Sequence, residues 1–281
     1  MSSQTFLIVG LGLIGGSYAR GLHAAGHTVW ALDRDQDALD YALQEGFIQR
    51  GAVYDKELVS GAERVIFGLY PRTMIDWLDA HGGDLHPEAL VTDVSGVKRG
   101  VVEAAQDRMA PGQEFLASHP MAGREVSGVR SSDAAIFQGA NFIITPTGRN
   151  TPQAMETLRA LAEELGFGHI SVLTPQEHDE MIGYVSQLTH AIAVSLMNAN
   201  DNTHLREYTG DSFRDLTRIA KINENLWSEL FLANRDILLG EIDAFAEALG
   251  GLRAALAAGD EEELRRLFIQ STHRRRIFDG E

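Results

Sequence analysis

The chain has 281 residues, no cysteine and a net charge of −16, from 24 lysines and arginines against 40 aspartates and glutamates. That length can hold a sizeable core and two domains, while the acidic balance opposes nucleic-acid and anionic-membrane partners. Without cysteine there is no disulfide, thiolate nucleophile or cysteine-bound zinc, a composition that fits a cytoplasmic location.

The apolar run Thr5-Phe6-Leu7-Ile8-Val9 reads as a strand, and it empties into Gly10-Leu11-Gly12-Leu13-Ile14-Gly15. In such a GxGxxG turn the first glycine makes the tight bend and the second admits a pyrophosphate close to the backbone. The third lets the following helix pack against the sheet. The amides and dipole at the helix N-terminus then supply the attraction for phosphate. A helical stretch from Ser17 to Ala25 follows, then Gly26 as its cap and a second strand, Thr28-Val29-Trp30-Ala31-Leu32, ending at Asp33. A carboxylate there accepts the adenosine ribose hydroxyls and repels a 2′-phosphate, which predicts NAD over NADP. Arg34 beside it is the one residue able to pair with such a phosphate, and capping of the next helix is the plain structural role open to Asp33.

Further strands are predicted at Val65–Phe67, Leu90–Asp93, Phe115–Ala117 and Asn141–Ile144, and His169–Leu173 closes the alternating region. Strands alternating with helices predict a doubly wound Rossmann-type sheet over residues 1–173. Ligands in such sheets sit beyond the strand C-termini. That places Gly68-Leu69-Tyr70-Pro71, Val94-Ser95-Gly96-Val97-Lys98 and Ser118-His119-Pro120-Met121 at the binding edge. The cofactor-binding candidates are therefore Gly10, Gly12, Leu13, Ile14, Gly15, Asp33, Arg34, Gly68, Leu69 and Ser95. His119 is the candidate base, because neutral imidazole suits removal of a hydroxyl proton near pH 7.

From Thr174 the pattern is all helix, which predicts a helical domain over 174–281. Thr174-Pro175-Gln176-Glu177 is a capping box opening a long apolar helix with Met181, Val185, Leu188, Ile192 and Leu196 on one stripe. On that rod Ser186, Gln187 and His190 form a polar stripe, available to a substrate or to a structural hydrogen-bond network. Further helices are predicted near Ser212–Lys221, Asn223–Leu249 and Glu261–Ile277. Their wide apolar faces predict a homodimer, against packing within one subunit. Arg218 lies on the polar side of its helix, either a surface charge or a cation aimed at a cleft. With no HExxH or EF-hand pattern no metal site is expected, and with no long apolar run no membrane span or secretory signal.

Taken together, five segments resemble the prephenate/arogenate dehydrogenase family of tyrosine biosynthesis. They are the glycine turn, Asp93-Val94-Ser95-Gly96-Val97-Lys98, Ser118-His119-Pro120-Met121-Ala122-Gly123, Ser186-Gln187-Leu188-Thr189-His190 and Phe213-Arg214-Asp215-Leu216-Thr217-Arg218-Ile219-Ala220. The match runs from residue 5 to about 240 in the family's order, and the length resembles its simple form, without a fused mutase or regulatory domain. The resemblance implies NAD-dependent oxidative decarboxylation of prephenate or arogenate. His119 would take the 4-hydroxyl proton, Arg218 would anchor a substrate carboxylate, and His190 with Gln187 or Ser186 would face the substrate side chain or the nicotinamide. Many relatives in that family carry a serine directly before the Val-Lys pair. This chain has Gly96 there, so either Ser95, one residue earlier, or a water takes over that serine's help to His119. Glu125 is a candidate gate, with Arg124 beside it as counter-charge. Two other functions fit the first half: a different two-domain hydroxy-acid dehydrogenase, which would place lysine or asparagine on the long helix, and a dinucleotide sensor without enzymatic activity.

Overall fold

The computed structural model describes residues 3–281. Its first half winds strand and helix alternately: β1 (Thr5–Val9), α1 (Leu13–Ala24), β2 (Thr28–Leu32), α2 (Gln36–Gln44), β3 (Arg50–Ala52), α3 (Lys56–Gly61), β4 (Arg64–Phe67), α4 (Pro71–His81), β5 (Leu90–Asp93), α5 (Val101–Gln106) and β6 (Glu114–Phe115). These six strands form one parallel sheet in the order β3-β2-β1-β4-β5-β6. Both faces are covered, so the strands are apolar on both sides. Phe6 and Ile8 enter one buried cluster and Leu7 and Val9 the other, as the two-residue period of a strand requires.

The pairing register aligns Val9 with Leu32 and Phe67, and Phe67 with Asp93. The residues that follow therefore share one edge. That edge contains the switch point where the strand order reverses around β1.

The segment Phe115-Leu116-Ala117, expected as one strand, is divided. Phe115 ends β6 on the parallel sheet, and Ala117 starts β7 (Ala117–Met121), which leaves it for a second sheet with β8 (Asn141–Thr145) and, across α6 (Pro152–Glu164), β9 (His169–Val172). The order is β7-β8-β9, with β7 antiparallel to β8. His119 therefore stands within a strand, opposite Ile143, and not just past one. The cause is Asp93, whose carboxylate accepts the Ser118 amide at 3.1 Å while its carbonyl accepts the Ser118 hydroxyl at 2.9 Å. Pro120 is tolerated because β7 is an edge strand.

Every regular element from Pro175 onward is helical: α7 (Pro175–Ile182), α8 (Thr189–Asn198), α9 (Leu205–Tyr208), α10 (Asp211–Thr217), α11 (Glu224–Ala233), α12 (Arg235–Ala258) and α13 (Glu261–Asp279). The capping box at Thr174 and Glu177 is formed. Two differences from the sequence reading matter. The long rod from Pro175 to Asn198 contains a π-helical turn at Gly183–Leu188, and the helix expected from Asn223 to Leu249 breaks at Asn234.

Candidate functional site

The glycine turn has the shape of a phosphate cradle. Gly10 adopts a φ of +97°, and a Cβ there would lie 2.8 Å from the Gly68 carbonyl oxygen. A Cβ on Gly15 would sit 1.9 Å from the Gly10 carbonyl oxygen, so only glycine lets α1 approach the sheet. At Gly12, by contrast, a Cβ would meet nothing within 4 Å. Gly12 is the N-cap of α1 and no side chain caps that end, so no side chain fills the space beside the first-turn amides around Leu13 and Ile14. Exposed amides, the helix dipole and open space are what a pyrophosphate requires, and these residues fit a dinucleotide.

Asp33 has a second duty that the sequence did not disclose. Its Oδ2 accepts the Leu11 amide at 2.6 Å and its Oδ1 the Asp35 amide at 2.8 Å, tying β2 to the glycine turn. Each oxygen keeps a lone pair for a ribose hydroxyl. The helix cap is Asp35, which accepts from the Asp37 amide. Gly68 and Leu69 pack beside Gly10, while Arg34 is exposed.

His119 is the end of a chain of imidazoles. Its Nδ1 lies 2.9 Å from His178 Nε2, and His178 Nδ1 lies 2.7 Å from Asp179 Oδ1. His178 and Asp179 are fully buried on α7. The carboxylate can only accept, so His178 carries its proton on Nδ1 and offers a bare Nε2. His119 must then donate from Nδ1, which leaves its own Nε2 unprotonated. A Cβ on Gly96 would stand 3.8 Å from that Nε2 and 3.5 Å from Leu230 on α11. The basic nitrogen therefore lies between the loop after β5 and the helical half. Burial, with His178 and the Lys98 ammonium adding to it, holds His119 well below the usual histidine pKa. The neutral form is thus the one present near pH 7.

Lys98 is buried entirely and paired with Asp93 at 2.7 Å; it also donates to the Ser118 carbonyl at 2.7 Å and to Ser95 Oγ at 3.3 Å. All three ammonium protons are matched, which a buried cation requires. Ser95 belongs to this cluster. Its hydroxyl donates to Asp93, so the expected contact between Ser95 and His119 is not made in the structure.

The polar stripe on the long rod is divided by the π turn. His190 donates from Nδ1 to the Ser186 carbonyl at 2.8 Å and stacks on Trp227 with ring centroids 3.6 Å apart. Burial is the main cause lowering its pKa. Gln187 does not face the same way: it is buried, donates to the Leu230 carbonyl at 3.2 Å and accepts from Asn234 at 2.8 Å. The extra residue in the turn rotates it inward, so that of the two roles open to the polar stripe Gln187 takes the structural hydrogen-bond network, and Gly183 gives Ile237 and Asn234 room to approach. Ser186 contributes its carbonyl to this packing. Arg218 is exposed and ion-paired with Glu125, from the loop that follows His119.

Sequence reasoning passed over His178, Asp179 and Trp227. Trp227 falls in the stretch Asn223–Leu249, noted only for its wide apolar faces, and His178 and Asp179 fall in the first turns of the helix opened at Thr174, noted only for its apolar stripe.

A dinucleotide turn on a doubly wound sheet, with a neutral imidazole held between that sheet and a helical half, defines a two-part Rossmann-type dehydrogenase. The family model for the nucleotide-binding domain of prephenate dehydrogenase matches residues 18–171, and that for its dimerization domain matches residues 174–270. The chain is 31% identical over 274 residues to a prephenate dehydrogenase of Bacillus subtilis, covering 94% of this chain and 73% of that protein. It is also 31% identical over 272 residues to a cyclohexadienyl dehydrogenase of Zymomonas mobilis, covering 94% and 92%. A crystal structure of prephenate dehydrogenase from A. aeolicus, in complex with hydroxyphenyl propionate and NAD+, superposes with a TM-score of 0.90 at 28% identity, covering 99% of both chains. The chain belongs to the prephenate dehydrogenase family.

Proposed function

We propose that this protein is an NAD-dependent dehydrogenase that oxidatively decarboxylates prephenate to 4-hydroxyphenylpyruvate, or its transaminated relative arogenate to tyrosine, in tyrosine biosynthesis. The observation that carries the reading is the imidazole chain, which supports His119 as a base with Nε2 bare and aimed between the two halves. Gly10, Gly12, Gly15, the first turn of α1 and Asp33 hold the dinucleotide, with Gly68 and Leu69 beside the turn. When bound, NAD supplies the two-electron acceptor.

His119 Nε2 accepts the proton of the 4-hydroxyl as the C–H bond at the same ring carbon breaks. The ring carboxylate then leaves as carbon dioxide, its bonding pair completes the aromatic ring, and the proton returns from His119 to the phenolate oxygen. The base ends neutral, as it began. Arg218 is the cation for a substrate carboxylate, in the fork geometry of a guanidinium, and takes it in exchange for Glu125. Its purpose is position: a tight grip on the departing carboxylate would favour substrate over transition state. His190, braced on Trp227, lines the helical side. We further infer that two copies pair through the helical half and that the enzyme works in the cytoplasm. No helix among the described residues is long and apolar enough to cross a membrane.

The test is absorbance of NADH on addition of prephenate, run beside arogenate. His119→Asn is expected to lower kcat by about 10²- to 10⁴-fold with NAD affinity unchanged. The acid limb of kcat/KM is expected below the ordinary histidine value, because the native environment resists protonation. Full turnover in His119→Asn removes the base from this mechanism.

A further inference from the structure

Arg99 bridges the loop after β5 and the start of α12. Its amide donates to Asp179 Oδ2 at 2.9 Å, beside the Lys98 amide on Oδ1 at 2.8 Å. Its guanidinium turns the other way, to Asp236 at 2.9 and 2.5 Å and to Asn234 Oδ1 at 3.0 Å. Nε is buried, has no hydrogen-bond partner and lies 3.6 Å from Asp179 Oδ2. Asn234, itself fully buried, donates to the Asp179 carbonyl at 2.9 Å. Asp179 is thus held at both carboxylate oxygens and at its backbone by groups that meet at one arginine.

From this geometry we propose that Arg99 is a positioning residue for His119, acting through Asp179 and His178, and that it makes the base depend on how α12 begins. The idea rests on His119 being the base. The logic is tautomeric: Asp179 fixes the proton of His178 on Nδ1, and that fixes the proton of His119 on Nδ1. The two backbone amides remain in any Arg99 variant, so what the side chain adds is the cation 3.6 Å from Oδ2 and the orientation of Asn234 at the Asp179 carbonyl. Weakening that hold raises the share of the tautomer in which His119 carries its proton on Nε2, where it accepts nothing. The groups facing His119 are His178 from α7 and Lys98 from the loop after β5, and those facing His178 are Asp179, Lys98 and Asp93. Arg99 adds a cation behind Asp179. Its removal leaves that carboxylate less neutralised, so the histidine pair takes its first proton at higher pH.

The experiment compares the full chain with Arg99→Met and Arg99→Lys by two readouts. The first is the ¹⁵N spectrum of the histidine rings without substrate, with His119 assigned by its loss in His119→Asn. The parent is expected to show one tautomer, protonated on Nδ1, and Arg99→Met a mixture. The second is the pH profile with prephenate. Arg99→Met is expected to lower kcat by about 10- to 100-fold, by analogy with the loss of a group that orients a metal-bound histidine. Its acid limb should move up and its KM for NAD should hold, while Arg99→Lys restores the limb but only part of kcat. Should Arg99→Met fail to fold, Asp236→Asn, at an exposed position, leaves the Arg99 cation less neutralised beside Asp179 and is expected to move the limb the opposite way, down, and by less. An unchanged tautomer with an unmoved limb overturns the proposal, whatever happens to kcat. A parent enzyme inactive on prephenate and arogenate would instead overturn the function, with the ring spectrum still deciding the role of Arg99.

Discussion

The sheet half and the helical half bury their apolar residues in different ways. Both large buried clusters are made of residues up to Phe167, and they cover the sheet on its two faces. On α12, by contrast, Leu238, Phe245, Leu249 and Leu256 share one stripe by helical period, yet exposure climbs along it from 4% through 38% and 54% to 68%. On α13 no residue is buried at all. A stripe that starts in the core and runs out into solvent is apolar surface left over after the chain has folded on itself. Such a surface marks an interaction site, in keeping with a match to a family dimerization domain. The first half is closed by its own chain, whereas the second leaves an apolar face that its own chain does not cover.

The largest expected effect breaks the closed half from inside. In Gly15→Ala the new methyl meets a backbone oxygen, not a flexible side chain, and neither β1 nor α1 can retreat without opening a cluster. Overpacking of this kind costs about 3 kcal/mol, which for a chain of this size lowers Tm by roughly 6–12 °C. Calorimetry checks the first number, and NAD titration should show a loss of affinity of at least about tenfold. An unperturbed Tm would mean that the turn has slack the structure does not contain.

The second effect addresses the open half. Phe245→Glu with Leu249→Glu puts two charges on a stripe that is already exposed in one chain, so the isolated subunit should keep its stability within about 0.5 kcal/mol. Association should suffer instead. Burying those carboxylates at an interface predicts monomers in sedimentation at concentrations where the parent is dimeric. A variant with the parent's sedimentation coefficient would show that the stripe is not the interface. A variant that loses Tm as a monomer would show that the stripe packs within one chain.

The same contrast explains how much was legible beforehand. In the closed half, burial follows from strand period and the glycine spacing names its own geometry, so Gly10, Gly12 and Gly15 stood out by position alone, whereas His119 was picked out as the candidate base by a place just past a strand that proves to lie inside β7. What failed there was tertiary: nothing in Phe115-Leu116-Ala117 announces that Asp93 will capture Ser118 and split the run between two sheets. In the helical half what the sequence left open was phase. One extra residue in the π turn moved Gln187 from the face of His190 to the inside, and Asn234 interrupts a helix because its side chain serves Asp179 and Gln187. His178 and Asp179 were hidden beside the exposed Glu177 and Glu180, and their burial depends on His119 of β7, the loop after β5 and Asn234.

The smallest expected effect tests the seam between the halves. Arg218 and Glu125 form an ion pair across it, and Arg218 is 64% exposed, so water and salt screen the attraction. Exposed pairs of this kind contribute roughly 0–1 kcal/mol. A substrate carboxylate that must displace Glu125 forfeits at most that amount. In Glu125→Gln, KM for prephenate should therefore fall by no more than about fivefold, the equivalent of 1 kcal/mol. The kcat and Tm should hold, because neither the base nor either core is touched. The salt dependence supplies the sharper comparison. In the parent, added salt weakens both Glu125 and the substrate at Arg218, and the two losses offset each other. In the variant only the substrate's attraction is screened, so KM should rise more steeply with ionic strength. A KM that rises at low salt in Glu125→Gln would mean that Glu125 itself contacts the substrate, and the exchange at Arg218 would have to be abandoned.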